Sequence, residues 1–575
     1  MTNWPSRRNR TFVPALRNVR GGLAIACAIT FAISCSSSHG PPRLSPARSA
    51  SLSSCAELAT TFRFDHTTIT SAGSVPSGTL TWGGNAIGAH CLVRGEMYRR
   101  TSPQNGKSYA IGFEMRLPNV WNGRFFYQAN GGMDGRVTTA LGGGGPQPTV
   151  GLQQGFAVIS SDAGHSDPDD ASFGIDVQAR LDYGYQAAAR LTPMAKALIA
   201  AAYGKPPDRS YFGGCSNGGR HTFVAMTRMP EEYDGYLAGA PGYRLPLAAI
   251  ANQFGAKRYA TIARDKTDLS TAFTSSERAA LSAAVLARCD VLDGARDGII
   301  QDTTACQAEF AFDRDVPTCR ADRDGSCLSA IQKQAIAPIF SGAVDSHGKK
   351  FYASFPFDSG HASRDSSFWE FLVPLRIDSA ATAMIWSVPP ADPSTFDGAT
   401  YALTTPIEEM LTAVAATDAT YPESALSFMQ PVNPTDLAAV RDRDARIIVY
   451  HGVSDAIFSV DDTTAWYEGL RARNGGDASS FARFFRVPGM AHCGGGPSTD
   501  QFDMLTALVQ WVEKGVAPDT VVAVARGHGN AVGVNPDVPS GWSPNRSRLL
   551  CPYPRVARLR AGATDLETAD SFTCR

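Results

Sequence analysis

Ser210-Tyr211-Phe212-Gly213-Gly214-Cys215-Ser216-Asn217-Gly218-Gly219-Arg220 is the stretch on which the reading of this chain turns. A short apolar run ends in Gly214-Cys215-Ser216-Asn217-Gly218, a G-x-S-x-G, and the residues that follow read as a helix. A serine hydroxyl is a weak nucleophile and has to be presented on a tight strand-to-helix turn, where flanking glycines permit the backbone and keep side chains out of the way. The pattern is common by chance and a glycine-rich turn serving only the fold would look alike. The strand-turn-helix context is what points to a catalytic serine.

Apolar runs bounded by turn residues recur at Arg124-Phe125-Phe126-Tyr127, Gly155–Ser160 and Arg446–Tyr450, with helical stretches between them. That alternation predicts the α/β class, a mostly parallel sheet flanked by helices. From Tyr243 to Pro434 the pattern changes to helical segments, turns, two short cysteine loops and scattered aromatics. The layout expected is a leader over 1–34, a tether over 35–54, core over 55–242, an inserted lid over 243–434, and core again over 435–575. The sequence has no internal repeat and no transmembrane span.

A nucleophilic serine needs a base and an orienting carboxylate, in this fold class in the order Ser, Asp, His. The run Arg446–Tyr450 leads into His451-Gly452-Val453-Ser454-Asp455, and Phe481–Val487 leads into Pro488-Gly489-Met490-Ala491-His492-Cys493. Both Asp455 and His492 therefore fall on loops after strands, where a triad acid and base belong. Among the ten histidines, His165 is the best rival base, although its upstream position breaks the order. The tetrahedral intermediate also needs two N–H donors. One is Asn217, the residue after the nucleophile. The other is expected from Gln128–Gly135, while Gly142–Gly145 forms a second glycine cluster.

Composition narrows the class further. The 575 residues carry 53 Lys and Arg against 54 Asp and Glu, so nothing electrostatic draws the chain to nucleic acid. Arg7, Arg8, Arg10, Arg17 and Arg20 precede an apolar run from Leu23 to Ile33, too short to span a bilayer, which reads as a signal peptide. Ala32-Ile33-Ser34-Cys35 loosely resembles a lipobox, making Cys35 a candidate lipid anchor, with ordinary cleavage nearby as the competitor. Without Cys27 and Cys35, ten cysteines remain, an even number that fits disulfides in an oxidising compartment. Zinc is disfavoured because no C-x-x-C pair exists. Asp290-Val291-Leu292-Asp293-Gly294-Ala295-Arg296-Asp297-Gly298-Ile299 places three carboxylates within eight residues, a donor pattern suited to calcium, although Asp-Gly turns alone are common.

Cys215 precedes Ser216 and Cys493 follows His492. In this arrangement the chain resembles the tannase and feruloyl esterase family, from about Cys55 to Cys574. Phe481–Asp500 and Cys551-Pro552-Tyr553-Pro554 are similar to the branch of it that hydrolyses mono(2-hydroxyethyl) terephthalate. The resemblance implies an α/β-hydrolase core with a large inserted lid, and pairings Cys55–Cys91, Cys215–Cys493, Cys289–Cys306, Cys319–Cys327 and Cys551–Cys574. It implies Gly132 as the second oxyanion donor. It also implies a structural Ca²⁺ on Asp290, Asp293 and Asp297 side chains and the Ala295 and Ile299 carbonyls. The expected activity is that of an exported serine esterase acting on small aromatic esters, with lid aromatics among Phe368, Trp369, Phe371 and Trp386 stacking on the acid. Arg376 is the candidate for a free carboxylate, which would mark a terephthalate monoester. The rival class is a non-catalytic, calcium-stabilised binding protein.

Overall fold

The computed structural model describes residues 45–320 and 322–575. The expected signal peptide and Cys35 lie outside the described residues. Nine strands form the central sheet: β1 (Thr67–Val75), β2 (His90–Thr101), β3 (Ser108–Pro118), β4 (Arg124–Gln128), β5 (Ala157–Ser161), β6 (Arg209–Cys215), β7 (Gly235–Gly239), β8 (Arg446–Gly452) and β9 (Ala482–Val487). Their spatial order is β9-β8-β7-β6-β4-β5-β3-β2-β1. The half from β9 to β5 is parallel, and β5, β3, β2 and β1 pair antiparallel. The parallel strands are short and apolar because helices cover both faces: β6 is buried at every residue.

Helices α1 (Ala187–Tyr203) and α2 (Asn217–Arg228) precede and follow β6. The core on one face joins Phe125, Tyr127 and Phe212 to Leu191, Leu198, Phe223 and Trp466, and on the other Phe126, Tyr211, Ile448 and Phe485 to Leu505, Leu508 and Trp511. Between β7 and β8 the chain runs through about two hundred residues of helices and turns, far beyond an ordinary connection. This insertion shares its core with the sheet domain: Phe173 and Tyr183 cluster with Val373, Trp386 and Phe428.

The expected tether is too long. Ala50–Ser51 pairs antiparallel with Val120–Trp121, and the Ala47 and Arg48 N–H groups donate to Glu513 and Asp208 at 3.1 and 2.6 Å. Low complexity speaks to side chains, and this segment docks through its backbone, so composition carried no sign of it. No helix among the described residues is long and apolar enough to cross a membrane.

Candidate active site

Ser216 sits at φ 66°, ψ −128°, between the end of β6 and the start of α2. The turn is as tight as the motif demands. A Cβ on Gly214 would come 2.3 Å from the Ala129 carbonyl oxygen, and one on Gly218 2.4 Å from the same atom. Only glycine lets β6, α2 and the loop after β4 meet there. The Ser216 N–H donates to Gly239 O at 3.0 Å, which anchors the strained residue on β7.

The Ser216 hydroxyl lies 2.8 Å from His492 Nε2, and His492 Nδ1 lies 2.7 Å from Asp455 Oδ2. Residues 276 and 37 positions apart are thus brought together at the carboxyl ends of β6, β8 and β9. Asp455 is fully enclosed. Burial alone would push its carboxyl up, but His492 and His451, with hydrogen bonds from both rings, hold it well below the usual carboxylate range. The Ile457 and Phe458 N–H groups, each at 3.0 Å, take its other oxygen. His492 is flanked by ring edges, Trp369 at 4.6 Å and Phe458 at 5.2 Å between centroids.

Two residues of this network escaped the sequence reading. His451 Nε2 lies 3.1 Å from Asp455 Oδ2 and its Nδ1 2.9 Å from Thr463 Oγ1. Asp358, from the insertion, accepts from Ser454 Oγ at 2.8 Å and from the Gly489 N–H at 2.7 Å. One buried carboxylate therefore stitches the insertion to both loops that carry the acid and the base. His451 directly follows the apolar run of β8, a position that could have marked it; Asp358 has no local signal. The rival base His165 is buried in a stack on Phe173, 3.6 Å between ring centroids, and burial pushes it down to about 4. It makes no hydrogen bond to Ser216.

The loop after β4 passes beside the nucleophile, with a Cβ on Gly131 placed 3.6 Å from Ser216 Cβ. Gly132 follows at φ +62°, and a Cβ there would meet nothing within 4 Å, so the space beside its Cα is open. Among the described residues no backbone acceptor takes the Gly132 or Asn217 N–H. The second glycine cluster packs beneath a disulfide instead: a Cβ on Gly144 would lie 2.9 Å from Cys215 N, and one on Gly145 3.1 Å from Cys493 O.

Cys215 and Cys493 are bonded, with Cα atoms 6.0 Å apart. The other bridges are Cys55–Cys91, Cys289–Cys306, Cys319–Cys327 and Cys551–Cys574.

A pocket on the insertion side of Asp455 is lined by Asn252, Tyr259, Phe340, Trp369 and Glu370 among others, and no Lys or Arg lines it. Glu370 is half-buried and its carboxyl raised by that burial; Arg278, 3.5 Å away, is already engaged by His361 O and Ser367. The structure does not bring Arg376 to this pocket. It is exposed and absent from the pocket wall. The helical run from Arg364 to Trp386 contains three wide π turns, and in the second of them Pro374, Leu375 and Asp378 take the inward positions. Phe371 and Trp386 belong to the core and Phe368 is exposed, which leaves Trp369 as the lid ring beside the triad.

In the acidic loop, Asp290 Oδ1 accepts the Asp297 and Gly298 N–H groups, and Asp293 those of Ala295 and Gln301. Asp297 accepts the Ile299 N–H and pairs with the Arg548 guanidinium. Burial and the neighbouring carboxylates raise Asp290, and push Asp293 up to about 7. Three carboxylates with the Ala295 and Ile299 carbonyls are a hard-oxygen donor set of calcium type. Their side chains are turned to backbone N–H groups, and among the described residues no three His, Cys, Asp or Glu converge on one metal position.

Residues 91–575 match the model of the family described as tannase and feruloyl esterase. The chain is 37% identical over 527 residues to mono(2-hydroxyethyl) terephthalate hydrolase of Piscinibacter sakaiensis, covering 85% of each. It is 30% identical to a probable feruloyl esterase B-1 of Neosartorya fischeri, over 71% of this chain and 75% of that one. In structure it is similar to feruloyl esterase B from Aspergillus oryzae, with a TM-score of 0.72 and 24% identity over 91% of this chain and 99% of that one, a likeness of fold.

Proposed function

The chain belongs to the tannase and feruloyl esterase family, and from that premise we propose that this carboxylic ester hydrolase is an exported serine esterase acting on esters of aromatic carboxylic acids through an acyl-enzyme. The observation that carries the reading is the contact of Ser216 Oγ with His492 Nε2 at 2.8 Å, backed by Asp455 on Nδ1. His492 takes the hydroxyl proton as Ser216 Oγ bonds to the ester carbonyl carbon, and the Gly132 and Asn217 N–H groups receive the charge on the oxygen. When the intermediate collapses, His492 returns the proton to the departing alcohol. It then takes a proton from water, which attacks the acyl-enzyme, and hands it back to Ser216 Oγ as the acid leaves. Asp455 keeps the imidazole in the required tautomer throughout.

Trp369 beside His492, and the names of the relatives, support an aromatic acyl group. A feruloyl- or gallate-type ester is the first reading, because the wall of the pocket beside Trp369 includes the half-buried acid Glu370 but no Lys or Arg for a free carboxylate. Identity to the terephthalate monoester hydrolase favours the alternative of that substrate. Turnover of methyl ferulate, methyl gallate and a terephthalate monoester by purified enzyme separates them, and a preference for short aliphatic esters would overturn both.

Calcium is part of the same proposal. Asp290, Asp293 and Asp297, with the Ala295 and Ile299 carbonyls, would hold it as a structural ion, offsetting the repulsion among carboxylates that raises Asp290 and Asp293. The five disulfides support export, to a secreted, periplasmic or Cys35-anchored outer-membrane location. Mass spectrometry of the mature N-terminus decides among these.

A further inference from the structure

Asp134 lies on the loop after β4, two residues past Gly132, and is almost fully buried with φ +51°. We infer that Asp134 is a positioning residue that fixes the spacing of the two oxyanion donors, by clamping the side chain of Asn217 to the loop that carries Gly132. The inference rests on the serine-esterase reading of those two N–H groups.

Asn217 Nδ2 donates to Asp134 Oδ1, while Asn217 Oδ1 accepts from Arg220 Nε at 2.6 Å. A carboxylate on one side and a guanidinium on the other leave the amide a single favourable orientation. Arg220 is itself immobile: it is completely buried, donates from Nη1 to Gly184 O at 2.6 Å and from Nη2 to Tyr183 O at 3.1 Å, and lies over the Tyr183 ring. His221 Nε2 lies 3.3 Å from the same Asp134 oxygen and 3.0 Å from Arg220 Nη2, so carboxylate, imidazole and guanidinium pack as one buried cluster around the amide.

The loop needs such a hold. Asp134 adopts φ +51°, sparsely populated for a residue with a side chain and maintained by surrounding contacts, between Gly132 and Gly135, which take positive φ freely. The loop's ends are pinned by Ala129 N–H to Gly213 O and Gly135 N–H to Asp162 O, each 2.9 Å. The stretch between them holds the Gly132 donor, and the Asp134–Asn217 bond is the link from that stretch to the second donor. A displacement of one N–H by a fraction of an ångström is felt at the transition state, where the oxyanion exists, and hardly in the substrate complex.

The test is a double-mutant cycle on an aryl ester, read by kcat, KM and the inhibition constant of an aromatic trifluoromethyl ketone, whose serine adduct places an oxyanion between the donors. Asn217→Ala keeps the backbone N–H and removes the clamp; it and Asp134→Ala should each lower kcat by about ten- to a hundredfold with KM within about threefold. Ketone affinity should fall in step with kcat/KM. The double variant should be no worse than the poorer single, and Asp134→Asn, which keeps an acceptor for the amide, should recover most of kcat. Should Asp134→Ala not fold, Asp134→Gly, which removes the carboxylate and suits the positive φ of that position, takes its place in the cycle. An unchanged kcat in Asn217→Ala, a loss confined to KM, or single effects that multiply in the double variant overturns the clamp. Fluorophosphonate labelling of Ser216 in the unsubstituted enzyme is the separate check: failure there removes the esterase reading itself, whereas labelling with a failed cycle removes only the clamp.

Discussion

Cys215 and Cys493 form a disulfide that joins the residue before Ser216 to the residue after His492, across 278 positions of chain. The bond sits beside the 2.8 Å contact between nucleophile and base, so its removal frees the two loops relative to one another. In the chain-entropy picture such a loop contributes on the order of 5 kcal/mol, less what the other bridges and native-state strain already take up. Replacing both cysteines with alanine should therefore lower kcat more than it lowers secreted yield. Full activity in the folded double variant would show the bridge to be dispensable for catalysis.

Ser216→Ala should lose at least about three orders of magnitude in kcat while keeping its melting temperature within a few degrees. His492→Ala should behave alike. His165→Ala should instead lose stability through the emptied stack on Phe173 and retain most of its turnover. A larger catalytic loss at His165 than at His492 would move the base.

Trp369→Ala should raise KM for methyl ferulate by roughly tenfold, since an aromatic contact of this kind is worth about 0.5–1.5 kcal/mol beyond area burial. Arg376→Ala should leave KM unchanged for ferulate and terephthalate monoesters alike, because its side chain is exposed and outside the pocket wall. A selective KM increase for the terephthalate monoester would restore Arg376 as a carboxylate reader.

Chelation should lower the melting temperature by several degrees before it affects the rate of Ser216 labelling, because Asp290, Asp293 and Asp297 lie in the insertion and bond to its own N–H groups and to Arg548 rather than to Ser216, Asp455 or His492. Metal analysis that finds no calcium in protein purified without chelator, with no thermal response, would remove the ion.

Asp162 supplies a pH test. Burial, aided by Asp134 and Asp182, pushes its carboxyl up to about 8 against the pull of the Gly164 and Gly112 N–H groups. A folded pKa above the unfolded one, near 4, means that its contribution to stability is complete below about pH 4 and is lost as pH rises through about 8. Asp162→Asn should flatten the fall in stability between about pH 4 and pH 8, by on the order of a few kcal/mol at the upper end. Parallel stability curves for the two proteins would refute the assignment.

The amino-acid order by itself determined whatever is local. The elbow was readable because Gly214, Ser216 and Gly218 act within five residues, and the strands β4, β5, β6, β8 and β9 because apolar runs between turns mark buried parallel strands. Asp455 and His492 followed from their places after two of those strands. The tertiary structure alone decided what depends on facing. Strands β1, β2 and β3 went unmarked because their pairing partners, not a distinctive local run, specify them. Arg376 turned outward because each wide turn adds a residue, and one residue rotates a helix face by about 100°. Asp358 reaching Gly489, His451 beneath Asp455, and Asp134 holding Asn217 are carboxylate and imidazole contacts between distant or alternative partners. A buried charge accepts whichever N–H groups packing delivers to it, and no spacing in the chain names them beforehand.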